Sequence, residues 1–176
     1  MDLHLSNKHI LITGGSKGIG LSCAEAFLSE GARVSLVSRS ESNLANACTK
    51  LVAHAKEHIQ TFAADLTQPS SAQAALDSAI QAFGPVDVLV NSAGAAKRTP
   101  APELTSQAWQ DAMQAKFFSY INMIDPVIKQ MGQRGQGNIV NVIGNGGKVP
   151  SSIHLPGGAA NAALMLATAG LANAYA

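Results

Sequence analysis

The chain has 176 residues, of which 47% are apolar and 13% charged, with a formal net charge of +1. That length and apolar content suit one domain with a real core and exclude disorder, while a charged fraction well under the usual ~25% leaves uncharged surface for oligomer contacts. A balanced charge without a basic cluster excludes the electrostatic footprint of a nucleic-acid or anionic-membrane binder, so small-molecule partners are expected.

Strand-like and helix-like segments alternate along the chain. The apolar run "HILIT" (9–13) reads as a first strand and "GGSKGIG" punctuates it. The following helix, "LSCAEAFLSEG" (21–31), is predicted to bury Ile19, Cys23, Ala26, Phe27 and Glu30 at helical spacing, with Gly31 as its stop. "RVSLVS" (33–38) is a second strand, and Ser40 is the candidate N-cap of a helix over 40–57. "IQTFAA" (59–64) makes a third strand, and "PSSAQAALDSAIQAFG" (69–84) a third helix ended by Gly84 and Pro85. "VDVLVNSAG" (86–94) is a fourth strand running into a glycine turn. A long helix is predicted from Ser106 to Met131, a fifth strand in "NIVNVIG" (138–144), and a last helix in the tail "IHLPGGAANAALMLATAGLANAYA" (153–176). Strands apolar on both faces, each followed by a helix, imply a parallel sheet covered on both sides: an α/β, doubly wound fold, with residues 1–176 as one domain.

Ligands in such a sheet sit beyond the carboxyl ends of the strands, so the loop after strand one comes first. In "TGGSKGIG", Gly14, Gly18 and Gly20 follow a strand and open a helix, where bare backbone N–H groups and the positive helix end would grip a pyrophosphate. The competing reading is a tight turn alone. The stretch resembles the T-G-x-x-x-G-x-G fingerprint of the short-chain dehydrogenase/reductase family, and three further segments agree in order. Asp65 and Leu66 after strand three are similar to the pair that meets the adenine ring in that family. "NSAG" (91–94) is similar to its N-N-A-G turn, with Ser92 in place of the second Asn, and "GNIVNVIG" resembles the strand that carries its catalytic serine.

The resemblance spans the whole chain and implies a Rossmann-type sheet in the order 3-2-1-4-5. It also implies further C-terminal strands that this sequence lacks, so the chain reads as truncated after the helix that follows strand five. A nicotinamide cofactor is expected on Thr13, Gly14, Ser16, Lys17, Gly18, Ile19, Gly20, Ser38, Arg39, Asp65, Leu66, Asn91, Ala93 and Gly94. After strand two stand Ser38 and Arg39 instead of an acid, and Lys17 lies in the glycine loop. Two cations favour the extra phosphate of NADPH, without excluding NAD; the competing reading leaves both cations merely solvated.

The catalytic set of the family is altered. Matching segments puts its Ser on Gly144, its Tyr on Gly157, its Lys on Asn161 and its Asn on Lys116. Neither remaining tyrosine, Tyr120 or Tyr175, stands in the required spacing. Lys116 and Asn161 look exchanged, and an ammonium from the neighbouring helix could meet the cofactor ribose or a substrate oxygen; the favoured competing reading is an ordinary solvated lysine. His154 is a candidate proton donor, with an ordinary loop-surface histidine as the favoured competing reading, and Ser151, Ser152 and Asn145 are candidate hydrogen bonders. The expectation is an NADPH-linked oxidoreductase acting on a carbonyl or alcohol through this nonstandard set. The alternative is a catalytically silent cofactor-binding relative that serves as partner subunit or sensor.

Other patterns are weaker. "HAKEH" (54–58) matches a zinc-peptidase spacing but offers no third ligand, so no metal is expected. Trp109, Met113 and Phe117 follow helical spacing as core or interface. Cys23 and Cys48 stand in no metal spacing, and with no secretory n-region at Met1 a reducing cytoplasm is the expected compartment. The tail is uncharged after Lys148, but Asn161 and Asn173 interrupt it and no aromatic or basic belt flanks it, so a buried helix is expected instead of a membrane span. Its small residues Gly157, Gly158, Ala159, Ala160 and Ala163 suit a homodimer or homotetramer interface with the long helix, as the family implies.

Overall fold

The computed structural model describes residues 3–51 and 56–176. Five parallel strands, β1 (His9–Thr13), β2 (Arg33–Ser38), β3 (Ile59–Ala63), β4 (Val88–Asn91) and β5 (Asn138–Asn141), form one sheet in the order β3-β2-β1-β4-β5. Because side chains alternate along a strand, Ile10 and Ile12 of β1 face one side and Leu11 the other. The first face, with Val34, Leu36 and Val90, is covered by Ala24 and Leu28 of α1 (Gly18–Ser29) and by Leu44, Ala47 and Leu51 of α2 (Glu41–Leu51). The second, with Val37 and Leu89, is covered by Ala72, Leu76 and Ala79 of α3 (Pro69–Phe83) and by Tyr120, Met123, Ile124 and Val127 of α5 (Ser119–Arg134). Each fully buried leucine on these faces contributes about 1.5–3 kcal/mol.

The doubly wound order is the expected one, and several local expectations are corrected. Only β1, β2 and β4 bury both faces; the edge strands β3 and β5 are partly open. The fully buried stripe of α1 is Gly20, Ala24 and Leu28; of the expected set Cys23 and Phe27 pack against it partly buried, while Ile19 is 60% exposed and Ala26 and Glu30 lie outside. The difference follows from Gly20, whose lack of a Cβ lets the helix pack flat on the glycine loop. Ser40 caps α2 as expected, its Oγ accepting from Asn43 N at 3.2 Å. The expected extension of that helix towards residue 57, and His54 of "HAKEH", lie outside the described residues, and Lys56–His58 is a short 3-10 turn.

The predicted helix 106–131 is two helices, α4 (Ser106–Ala112) and α5, joined by a π turn at Met113–Phe118 and ending at Arg134. Ser119 Oγ donates to the carbonyls of Ala115 (2.8 Å) and Lys116 (3.3 Å), one turn back in the π segment. Pro126 sits inside α5 and has no N–H to give. The last helix, α6 (Leu155–Ala174), is long and apolar enough to cross a membrane by length and composition. In this fold it packs on α4, on the π turn and on the turn Asn145–Gly147, burying Pro156, Gly157, Ala160, Asn161 and Leu164.

At the amino ends of the strands, where β1 begins in the middle of the sheet, His9 is fully buried. Its Nδ1 lies 2.7 Å from the Gly84 carbonyl and its Nε2 2.8 Å from Ser35 Oγ. A carbonyl only accepts, so Nδ1 carries the proton and the Ser35 hydroxyl donates to Nε2. Burial is the main reason that the pKa lies below the ordinary histidine value, with Arg33 adding to it and the Gly84 hydrogen bond opposing it. The unfolded chain therefore takes up this proton at higher pH than the native one. The stability held by neutral His9 is complete above the unfolded value of ~6.5 and is lost as pH falls through the lower folded one. Urea unfolding should show stability declining below neutral pH with a His9 share of at most about 1.4 kcal/mol per pH unit. His9→Gln should remove that share, and an unchanged slope would place the acid sensitivity elsewhere.

Candidate functional site

The carboxyl ends of the strands open on a cleft of about 480 Å³. At its floor Gly14 takes a φ of +67°, a left-handed conformation that costs glycine nothing, and its N–H donates to the Val37 carbonyl at 2.8 Å. A Cβ on Gly20 would run into the Gly14 carbonyl, so loop and helix touch backbone to backbone. Lys17, before α1, is extended and offers no side-chain cap, which leaves the first N–H groups of the helix without a side-chain acceptor. Gly14, Ser16, Lys17, Ile19, Ser38, Arg39, Asp65, Leu66, Ala93 and Gly94 all line this one cleft. Of the other expected residues, Thr13, Asn91 and Gly20 are buried behind it and Gly18 is exposed at its rim.

Electrostatics at the far end of the cleft are mixed. Asp65 Oδ1 accepts from Thr67 N (3.0 Å) and Thr67 Oγ1 (2.8 Å), and these bonds hold its carboxyl below the usual aspartate range, with a further contribution from the Arg39 charge. Asp65 is thus committed to its own turn. Arg39 and Lys17 are the cations on the cleft wall. Sequence reasoning missed Asn43, Thr67, Ala115 and Ser119, which line it too. Asn43 was within reach, since it lies in the first turn of a helix that begins where β2 ends. Ala115 and Ser119 arrive there through the π turn, which no residue pattern announces. A Cβ on Gly94 (φ +92°) would strike the Ala115 carbonyl, so the turn after β4 and the bulge fit only around a glycine.

In-register pairing sets Thr13, Asn91 and Asn141 side by side at the ends of β1, β4 and β5. Thr13 Oγ1 donates to Asn91 Oδ1 (3.1 Å), Asn91 Nδ2 to Asn141 Oδ1 (3.1 Å), Asn141 Nδ2 to Thr168 Oγ1 (3.0 Å), and Thr168 Oγ1 to the Leu164 carbonyl (2.7 Å). Thr13 Oγ1 also accepts from Ser92 N at 3.2 Å. A continuous polar chain thus ties the glycine loop and the Asn91–Gly94 turn to α6, and each buried polar group in it is satisfied.

The positions of the altered catalytic set are filled in an organised way. A Cβ on Gly157 would overlap the His154 imidazole at Nε2 and Cε1 and come within 3.0 Å of Ala96 Cβ. A Cβ on Gly144 would come within 2.9 Å of Asn161 Nδ2. His154 therefore lies over Gly157, and Asn161 against Gly144. Among the described residues, the buried side-chain atoms with no hydrogen-bond partner are His154 Nδ1 and Asn161 Oδ1. Leaving such groups unpaired costs about 1–3 kcal/mol each, which a bound molecule would offset.

Lys116 sits in the π turn, half-buried, and burial pushes its pKa below the ordinary lysine value. It does not donate to Asn161 Oδ1, which has no partner, so the two apparently exchanged residues are not a bonded pair. Ser151, Ser152 and Asn145 are exposed. Tyr120 is buried with its hydroxyl donating to the Val142 carbonyl at 2.8 Å, and burial pushes its pKa up to about 12. Tyr175 lines a separate groove of about 530 Å³ along the β5 edge.

Three of the small residues of α6 are used inside the chain, while Ala159 is exposed. Gly157 and Ala160 are buried, and a Cβ on Gly158 would meet the Gly146 carbonyl at 2.8 Å, which corrects the expectation that these three face a partner subunit. No group of three or more metal-ligating side chains occurs among the described residues.

A family model described as short chain dehydrogenase matches residues 8–176. D-threitol dehydrogenase of Mycolicibacterium smegmatis is 34% identical over 154 residues, covering 88% of this chain and 59% of that protein. The chain thus spans a little over half the length of that relative. L-sorbose reductase from Gluconobacter frateurii, solved with NADPH and L-sorbose, superposes with a TM-score of 0.91 at 30% identity, over 98% of this chain and 66% of that one. An NADPH-bound short chain oxidoreductase from Pseudomonas aeruginosa, described as containing an atypical catalytic centre, gives 0.90 at 27% identity over 96% and 66%.

Proposed function

Because the chain belongs to the short-chain dehydrogenase/reductase family, we propose that it is an NADPH-linked oxidoreductase of carbonyls or alcohols, with His154, Asn161 and Lys116 in place of the usual catalytic set. The observation that carries the cofactor assignment is the cleft itself: uncapped N–H groups of α1, glycines that a Cβ would block, and the cations Lys17 and Arg39 at one end. NADPH in the L-sorbose reductase and Pseudomonas structures supports the same choice. Thr13, Gly14, Ser16, Gly18, Ile19, Gly20, Asn91, Ala93 and Gly94 would hold the diphosphate and nicotinamide portions. Ser38, Arg39, Asp65 and Leu66 would hold the adenosine end.

Bound there, NADPH supplies the hydride. The chain supplies the proton: His154 Nδ1, buried and unpaired, donates to the substrate oxygen as it becomes an alkoxide. Asn161 holds the substrate beside it, and the Lys116 ammonium, poorly hydrated in the π turn, stabilises negative charge from the adjoining helix. The family's self-association extends this reading to a homodimer or homotetramer, for which Trp109, Phe118 and Leu166 (77% exposed) are the apolar side chains that α4, the π turn and α6 leave outside.

The test is NADPH fluorescence on titration, followed by consumption with a panel of ketones and aldehydes. Arg39→Glu should weaken NADPH binding about 100-fold, the worth of a charge-assisted pair, while NADH binding changes little. Equal losses for both cofactors would remove Arg39 from the 2′-phosphate. Glycine at both the serine and tyrosine positions, 144 and 157, favours a second reading, a cofactor-binding partner subunit without turnover. Binding without consumption at high enzyme concentration would select it.

A further inference from the structure

The polar chain between the cofactor turn and α6 admits one arrangement of its protons. The Leu164 carbonyl only accepts, so it takes the Thr168 hydroxyl proton, and Thr168 Oγ1 is left to accept from Asn141 Nδ2. Asn141 must then turn its Oδ1 to Asn91 Nδ2, and Asn91 its Oδ1 to the Thr13 hydroxyl. Thr13 Oγ1 in turn accepts from Ser92 N at 3.2 Å and from Ala93 N at 3.4 Å. Reversing either amide sets donor against donor and acceptor against acceptor, so the chain holds or fails as a unit. Thr13 and Asn91 are fully buried, which keeps bulk water from replacing a broken link.

Its two ends stand in different places. Ser92 and Ala93 line the cofactor cleft, as does Gly14 next to Thr13, whereas among the described residues none of α6 lines it. At the α6 end the chain is one of two pins. Asn161, Leu164 and Thr168 lie at i, i+3 and i+7, on one face of the helix. Asn141 bonds to Thr168, and three residues further along the chain Gly144 meets Asn161, whose Nδ2 lies 2.9 Å from where a Cβ on that glycine would stand. Three extended residues and seven helical ones both span about 10 Å, so strand end and helix match at the two points. Sliding α6 by one residue, about 1.5 Å, would break the 3.0 Å bond to Asn141 and move Asn161 off its place against Gly144.

Resting on the NADPH-linked oxidoreductase reading, we propose that Asn141 and Thr168 are positioning residues that transmit the placement of the Asn91–Gly94 turn to α6 and so set Asn161. A cofactor that orders the turn at Ser92 and Ala93 thereby also orders the first half of α6, which lies outside its cleft. The bond between Asn141 and Thr168 is the link on which this coupling depends.

The experiment is hydrogen exchange of the full chain with and without saturating NADPH. In the natural protein NADPH should slow amide exchange over residues 157–168 by at least about 5-fold more than over residues 76–83 of α3, the low end of coupling between linked sites. The α3 segment reports the general stabilisation that any bound ligand gives. Thr168→Val and Thr168→Ala cut the link in two sterically different ways, and either one, folded, should lose the excess while NADPH still slows residues 14–20. Thr168→Ser keeps the hydroxyl and should restore it. Carbonyl reduction should fall about 10- to 100-fold in the first two variants, the cost of a small misplacement, and return in the third. Equal slowing of α6 and α3 in the natural protein, or an excess that survives both cuts, overturns the coupling and leaves the oxidoreductase reading standing. An excess that depends on Thr168 in a chain that reduces no carbonyl supports the coupling and overturns that reading. No slowing by NADPH anywhere overturns both.

Discussion

Alanine at His154 is expected to lower turnover of a carbonyl substrate about 10²–10⁴-fold, the usual worth of a positioned proton donor, while NADPH binds as before. The affinity should hold because His154 lies at the start of α6, outside the glycine loop and outside the ten expected residues on the cofactor cleft. Added imidazole should restore part of the rate, since the ring leaves a vacancy of its own shape over Gly157. A purely structural histidine would give neither the rate loss nor the rescue. Unchanged turnover would shift proton transfer to Lys116, and Lys116→Met would then abolish it. The contribution of Lys116 can also be read from pH. Burial holds the Lys116 pKa below the ordinary lysine value, so a rate that depends on its ammonium must fall as pH rises through that lowered value. In the Lys116→Met variant that limb should vanish, whichever residue donates the proton.

How much of this was legible before the structure differs by kind of residue. The fold was legible because its signals are local: apolar runs, glycine stops and an N-cap at Ser40, each acting within a few residues. The cleft was legible because backbone must approach a phosphate closely, and only glycine at positions such as 14 and 20 allows it. What fills a missing side chain was not. The sequence shows Gly144 and Gly157 where hydroxyls are usual. It does not show that Asn161 turns onto one and His154 onto the other, because both contacts depend on how the loop after β5 meets α6. The π turn was hidden for a similar reason: Ser119, Ala115 and Gly94 make sense of one another only once β4 and the long helix are packed. Of the small residues of the tail assigned to a partner subunit, Gly157, Gly158 and Ala160 pack inside the chain instead, since composition reports that close packing occurs and not with whom. His9 carried no legible signal, its partners Ser35 and Gly84 being 26 and 75 residues away.

Gly157→Ala should change the sign of its effect with the residue at 154. In the natural background the new methyl meets the imidazole, and overpacking of this kind costs about 1–3 kcal/mol. For a chain of this length each kcal/mol lowers the midpoint of thermal unfolding by about 2–4 °C. Against that stands the helical advantage of alanine over glycine, up to about 1 kcal/mol. With His154→Ala already in place the imidazole is gone, only Ala96 Cβ at 3.0 Å has to yield slightly, and the helical advantage should make Gly157→Ala neutral or stabilising. The coupling between the two positions should then come to about 1–3 kcal/mol, measured as a double-mutant cycle in urea. If the usual residues had simply been lost, with His154 an unrelated loop residue, the two substitutions would add. A non-zero coupling of this sign shows that the glycine exists to make room for the histidine. The same cycle read in turnover then decides whether that room is kept for chemistry: Gly157→Ala, by displacing the ring, should reduce the rate only when His154 is present to be displaced.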